Sequence, residues 1–76
     1  MELKTATEMT TYVEKKFSGP LYTAKAIPAL EWRKGPKPNG SDYLVFQLEY
    51  TDTFGNHRPE FDGAIRCYTN GVTSSI

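Results

Sequence analysis

Hydrophobic and polar positions alternate most regularly in the middle of the chain. From Tyr43 to Thr51, Leu44, Phe46, Leu48 and Tyr50 recur at every second position, with Val45, Gln47 and Glu49 between them. A strand places those four side chains on one face, whereas a helix would scatter them around its circumference. The spacing predicts a half-buried central strand that the rest of the chain covers or extends.

Upstream the period lengthens. Ala6, Met9, Tyr12 or Val13, and Phe17 recur at helical spacing. Thr5 and Glu8 stand where a capping box needs them, and Ser18-Gly19-Pro20 supplies a stop. These signals predict a helix from Ala6 to about Ser18, with Glu8, Glu14, Lys15 and Lys16 on its solvated side. Beyond Pro20, alternation returns at Tyr22, Ala24, Ala26, Pro28, Leu30 and Trp32. Proline removes a ladder donor, so this segment reads as an edge strand or one bulged near Pro28. The stretch from Lys34 to Asp42 is dense in turn formers and reads as a loop.

Two hairpins follow the central strand. Phe54-Gly55-Asn56-His57 suits a two-residue turn with Gly55 at its first central position. That turn sets Tyr50 opposite Phe61, Leu48 opposite Gly63, Phe46 opposite Ile65 and Leu44 opposite Cys67. Slipping the register by one residue would bring Arg66 among the leucines. Asn70-Gly71 signals a second two-residue hairpin, in which Ile65 faces Ile76. The expected fold class is α+β: one N-terminal helix packed on a three- or four-stranded antiparallel meander. Its core would hold Leu30, Trp32, Leu44, Phe46, Leu48, Tyr50, Phe61, Ile65 and Cys67.

Composition narrows the chemistry. The 76 residues make one domain, positions 1–76, near the lower limit for a core without staples. A single cysteine excludes an internal disulfide, and Cys67 with His57 cannot supply a zinc ligand set. Cys67 belongs to the buried alternation, and His57 reads as a turn residue. No metal or cofactor motif is present, so stability must come from packing, as a monomer or a homodimer. Met1 to Lys4 lacks a signal-peptide run and no segment is long enough to span a membrane, which makes the cytoplasm the expected location. Nine basic and nine acidic residues balance to zero, which disfavours a general polyanion binder.

With one helix, only one face of the sheet can be covered. The same register sets Tyr43 opposite Tyr68, Val45 opposite Arg66, Gln47 opposite Ala64, Glu49 opposite Asp62, and Thr51 opposite Glu60 on the other. One end is aromatic and basic, with Tyr43, Arg66 and Tyr68. The other is acidic, with Glu49, Asp62 and Glu60. These six are the candidate partner-binding residues. Glu49 and Asp62 could form an acid–base pair, but catalysis also needs a water-excluding pocket, which a one-helix, one-sheet domain this short rarely makes, so no enzyme is expected.

Two functions fit such a face. One is a protein-binding module whose acidic end occludes a partner's basic surface. The other is a single-stranded nucleic-acid binder with Tyr43, Tyr68 and Arg66 as a stacking platform. The order helix, strand, strand, strand resembles the start of a double-stranded RNA-binding domain, but the closing helix and its lysine-rich N-terminus are absent. In size, lack of motif and compact α+β make-up, the chain resembles the small inhibitors encoded by phages and mobile elements, such as anti-CRISPR proteins. That resemblance implies a stoichiometric inhibitor in the host cytoplasm that blocks a nuclease complex, often at its nucleic-acid channel.

Overall fold

The computed structural model describes residues 3–28 and 42–76. Helix α1 spans Ala6–Phe17, followed by strand β1, Tyr22–Pro28, and strand β2, Tyr43–Asp52. A short 3-10 turn at Pro59–Phe61 precedes β3, Gly63–Tyr68, and β4, Thr73–Ser75. The four strands form one antiparallel sheet in the order β1-β2-β3-β4, with the helix on one face. This is the α+β meander expected from the pattern. The expected core positions Leu30 and Trp32, and most of the loop from Lys34 to Asp42, lie outside the described residues.

The helix starts where its caps dictate. The Glu8 N–H donates to Thr5 Oγ1 at 3.1 Å, and Glu8 Oε2 accepts the Lys4 N–H at 3.2 Å. The second arm of the box therefore reaches one residue further back than the usual N-cap amide. At the other end the Ser18 N–H closes on the Glu14 carbonyl, and the chain leaves the helix in an extended conformation.

Met9 and Val13, a helical turn apart, are fully buried and meet Leu44, Phe46 and Leu48 of β2 together with Ile65 and Cys67 of β3. Leu3 and Ala26 complete this cluster, with Ala6, Tyr12, Phe17 and Tyr50 packed on its margin. Phe46 is the largest side chain wholly removed from solvent. Cys67 is equally buried, and the loss of solvation pushes its thiol pKa up. Phe61 departs from expectation: it is 48% exposed, resting edge-on against Tyr22 at 5.0 Å and Tyr50 at 6.3 Å.

The register of β2 on β3 is the expected one from Tyr43–Tyr68 through Leu48–Gly63, including Phe46–Ile65 and Leu44–Cys67. The turn that produces it is different. The Gly55 N–H donates to the Asp52 carbonyl and the Asp52 N–H to the Asn56 carbonyl, which closes a three-residue loop over positions 53–55. Gly55 occupies its last position at φ +85°, the left-handed conformation that favours glycine there. This shorter hairpin pairs Thr51 with His57, and the Arg58 N–H donates to the Tyr50 carbonyl. Pro59 cannot donate to a ladder, and the Pro59–Phe61 turn absorbs three residues before β3 resumes. The ladder therefore does not pair Tyr50 with Phe61, Glu49 with Asp62 or Thr51 with Glu60.

At the second hairpin, Gly71 at φ +91° repeats the same arrangement, with Gly71 N–H to Tyr68 carbonyl and Tyr68 N–H to Val72 carbonyl. No later turn compensates here. Ile65 accordingly faces Ser75 rather than Ile76, and Ile76 is largely exposed.

The candidate interaction surface

The sheet face opposite the helix carries Thr23, Lys25 and Ile27 from β1, alternate residues Tyr43 to Thr51 from β2, Ala64, Arg66 and Tyr68 from β3, and Ser74 from β4. Their rows follow the strand registers. Among the described residues no element lies over this face. At one end the Tyr43 and Tyr68 rings pack against each other with centroids 5.1 Å apart and planes tilted by 45°. Beside them Val45 pairs with Arg66 and, one strand further, Arg66 pairs with Ser74. Ile27, Gln47 and Ala64 make the next row, and Ile27 is 40% exposed. Tyr43, Val45, Arg66 and Tyr68 are all half-buried by their neighbours while remaining open to the face. Among the described residues Arg66 takes part in no ion pair.

The acidic end is arranged differently from the expectation of two opposed carboxylates. Glu49 stands across from Lys25 of β1. Asp62 turns to the backbone, where its Oδ1 accepts the Tyr50 N–H at 3.3 Å, while Oδ2 contacts His57 Nε2 at 2.8 Å. A side-chain oxygen thus takes the place of a ladder carbonyl where the Pro59 turn interrupts pairing. Glu60 lies on that turn, exposed. The three-residue loop and the turn after it are what separate Asp62 from Glu49. His57, read as an ordinary turn residue, therefore has a carboxylate partner five positions on, which spacing along a hairpin alone could not signal.

Beneath the same hairpin, Asp52 is nearly buried and holds the loop together. Its Oδ1 accepts the Phe54 and Asn56 N–H groups at 2.9 and 3.0 Å, and its Oδ2 accepts from Arg58 Nε at 2.9 Å. The Asn56 N–H contributes most to holding its carboxyl below the usual range. Phe54 and Arg58 act in the same direction, and burial opposes them. An aspartate accepting amides two and four residues ahead is a turn signature legible in Asp52-Thr53-Phe54-Gly55. Phe54, at the tip, is 86% exposed.

The helix also closes one sheet edge. The Ala24 N–H donates to Ser18 Oγ at 2.9 Å and the Ala26 N–H to Glu14 Oε2 at 3.0 Å. Glu14, expected on the solvated side, is instead an edge cap. A shallow open groove runs alongside, bordered by Thr11, Lys15, Thr23 and Lys25.

Among the described residues, no group of three or more histidine, cysteine, aspartate or glutamate side chains is placed to hold a metal ion, and no helix is long and apolar enough to cross a membrane. Comparison with family models, curated proteins and solved structures finds no match to this chain.

Proposed function

We propose that the protein is a non-catalytic binding module that attaches to a protein partner through the open face of its sheet and inhibits by covering the surface it occupies. The observation that carries this reading is the aromatic–basic row: Tyr43 against Tyr68, with Val45 and Arg66 beside them on a face that no element of the described residues covers. Tyrosine and arginine are enriched at the energetic centres of protein interfaces, tyrosine for its large rigid ring with a polar tip and arginine for its planar five-donor guanidinium. All four residues stand on strand backbone, so little backbone ordering entropy is lost on docking. The contact centre lies at Tyr43, Arg66 and Tyr68, because Asp62 is engaged by His57 and Tyr50 while Glu49 faces Lys25. Glu49 and Glu60 then border the contact. The resemblance in size and make-up to phage-encoded inhibitors makes a nucleic-acid-processing complex, such as a CRISPR effector, the first partner class to test.

One observation favours a second reading. Neighbouring tyrosines beside an arginine also suit the stacking of single-stranded bases. Against it, the two rings pack on each other, Arg66 is the one cation in the row among the described residues, and the net charge is zero.

The experiment is binding of purified candidate effector complexes by the unmodified protein and by Tyr43→Ala, Arg66→Glu and Glu49→Lys variants. Stoichiometric capture that Tyr43→Ala and Arg66→Glu abolish, and Glu49→Lys merely weakens, supports the proposal. Salt-sensitive binding of single-stranded RNA or DNA by the unmodified protein, lost in Tyr43→Ala, sinks it in favour of the second reading.

A further inference from the structure

The two edges of the sheet are not equivalent. Along β1 the outward N–H groups of Ala24 and Ala26 are taken by Ser18 and Glu14, and Pro28 has none to offer. The Tyr22 carbonyl is likewise taken, by the Gly19 N–H at 2.9 Å. A strand approaching this edge would find its donors occupied, a familiar guard against edge pairing.

Among the described residues the β4 edge carries no such guard. The Tyr68 N–H donates to the Val72 carbonyl and the Ile76 N–H to the Ala64 carbonyl, which fixes the alternation along the strand. Val72, Ser74 and Ile76 direct their backbone groups toward β3, so Thr73 and Ser75 direct theirs outward. No described residue hydrogen-bonds those outward groups. The strand, Thr-Ser-Ser, contains no proline, lysine or inward-pointing charge.

We infer that β4 is a self-association edge, to which a second copy of this chain adds its own β4 antiparallel about a two-fold axis through Ser74. That axis sets Thr73 opposite Ser75 of the second copy, and Ser75 opposite its Thr73. Outward groups then meet outward groups at both positions, and each pair exchanges two hydrogen bonds. The same operation brings Val72 against Ile76 of the second copy, twice, on the open face. These two side chains are 55% and 63% exposed in the single chain. An axis through Thr73 would instead set Ser75 against the Gly71 turn and leave Val72 and Ile76 apart. The self-complementarity of one short segment, in both backbone and side chains, is what an isologous contact requires.

The product is a continuous eight-stranded sheet in which the Tyr43, Arg66 and Tyr68 rows of both copies share one face. The short strand makes the dimer weak and concentration-dependent. This inference rests on the edge alone and does not depend on the proposed contact with a partner protein.

Sedimentation equilibrium of the full chain, up to millimolar concentration, tests it. The expected result is a mass that rises from 8.6 kDa toward twice that value with concentration. Ser74→Lys would set two ammonium groups against each other at the axis. Ser75→Pro removes an outward donor that β3 does not use. Both variants should keep the circular dichroism spectrum and remain monomeric. In the unmodified chain, amide exchange at Thr73 and Ser75 should slow as concentration rises. A single 8.6 kDa species throughout, or a dimer that survives in folded Ser74→Lys, overturns the inference.

Discussion

Replacing Phe46 and Phe61 separately by alanine tests how the hairpin is built. Both aromatics fall on the alternation that predicts core, yet the structure puts them in different surroundings. Phe46 is wholly excluded from solvent at the centre of the cluster formed by Met9, Val13, Leu44, Ile65 and Cys67. Phe46→Ala removes a buried ring that the surrounding side chains cannot fully replace, at a cost of ~3–5 kcal/mol. Phe61 is about half exposed and keeps two edge-on aromatic contacts. Half the transfer energy of a phenylalanine with those contacts amounts to ~1–3 kcal/mol. A domain of this length has a total stability of roughly 4–11 kcal/mol. Phe46→Ala should therefore approach the limit of folding, and Phe61→Ala should leave a clear two-state transition. Urea unfolding followed by far-ultraviolet circular dichroism resolves the difference, since at a slope of ~1 kcal/mol per molar the two midpoints separate by about 2 M. Equal losses, or a larger one in Phe61→Ala, would show that the Pro59–Phe61 turn does not displace that ring from the core and that the ladder continues through it.

The two glycines flanking this hairpin should respond oppositely. Gly55→Ala places a Cβ at φ +85° and should lower stability by ~1–2 kcal/mol, whereas Gly63→Ala meets open space in an ordinary conformation and should leave the melting temperature unchanged or slightly raised. Asp52 has a folded-state pKa below its ordinary value of 3.8. Its contribution is thus present above about pH 4 and lost as pH falls through the lower folded value. Asp52→Asn should reduce stability at neutral pH and flatten the acid limb of a pH–stability curve, and an unaltered acid limb would refute that role. Glu14→Ala should accelerate exchange of the Ala26 amide by more than tenfold, read by nuclear magnetic resonance, while Glu8→Ala leaves it unchanged.

What was legible in the sequence was what depends on near neighbours. Alternation at Leu44, Phe46 and Leu48 fixed the faces of β2, and Thr5 with Pro20 bracketed the helix, because each signal acts within a turn or two of itself, although Gly19 does not take the left-handed conformation of a cap. The expected pairing of Phe46 with Ile65 holds because two departures from the expected hairpin offset each other. The Gly55 loop holds three residues instead of two, and Pro59–Phe61 takes up the resulting offset. Gly71 makes the same kind of loop with nothing to offset it, so Ile76 misses the position opposite Ile65. The candidate surface divides along the same line. Tyr43, Arg66 and Tyr68 come together because they lie on uninterrupted strand. The Glu49–Asp62 pairing fails because it lies beyond the interruption. Glu14 capping Ala26 and His57 contacting Asp62 depend on elements approaching in space, and no local pattern marks them.

The way α1 is anchored bears on when the chain can fold during its synthesis. The Tyr12 hydroxyl donates to the Gly71 carbonyl at 2.8 Å, and the Leu3 N–H to the Thr69 carbonyl at 2.7 Å. The helix is thus tied to a turn 59 residues further along the chain. Until β3 has emerged, the helix lacks the Ile65 and Cys67 surface that buries Met9 and Val13, and until the Thr69–Gly71 turn follows it lacks those acceptors. A nascent chain released only as far as β2 would hold an apolar helix beside half a sheet, a state in which isolated helices of this length are marginal. Folding of the helix onto the sheet is then governed by long-range closure rather than by local contacts alone.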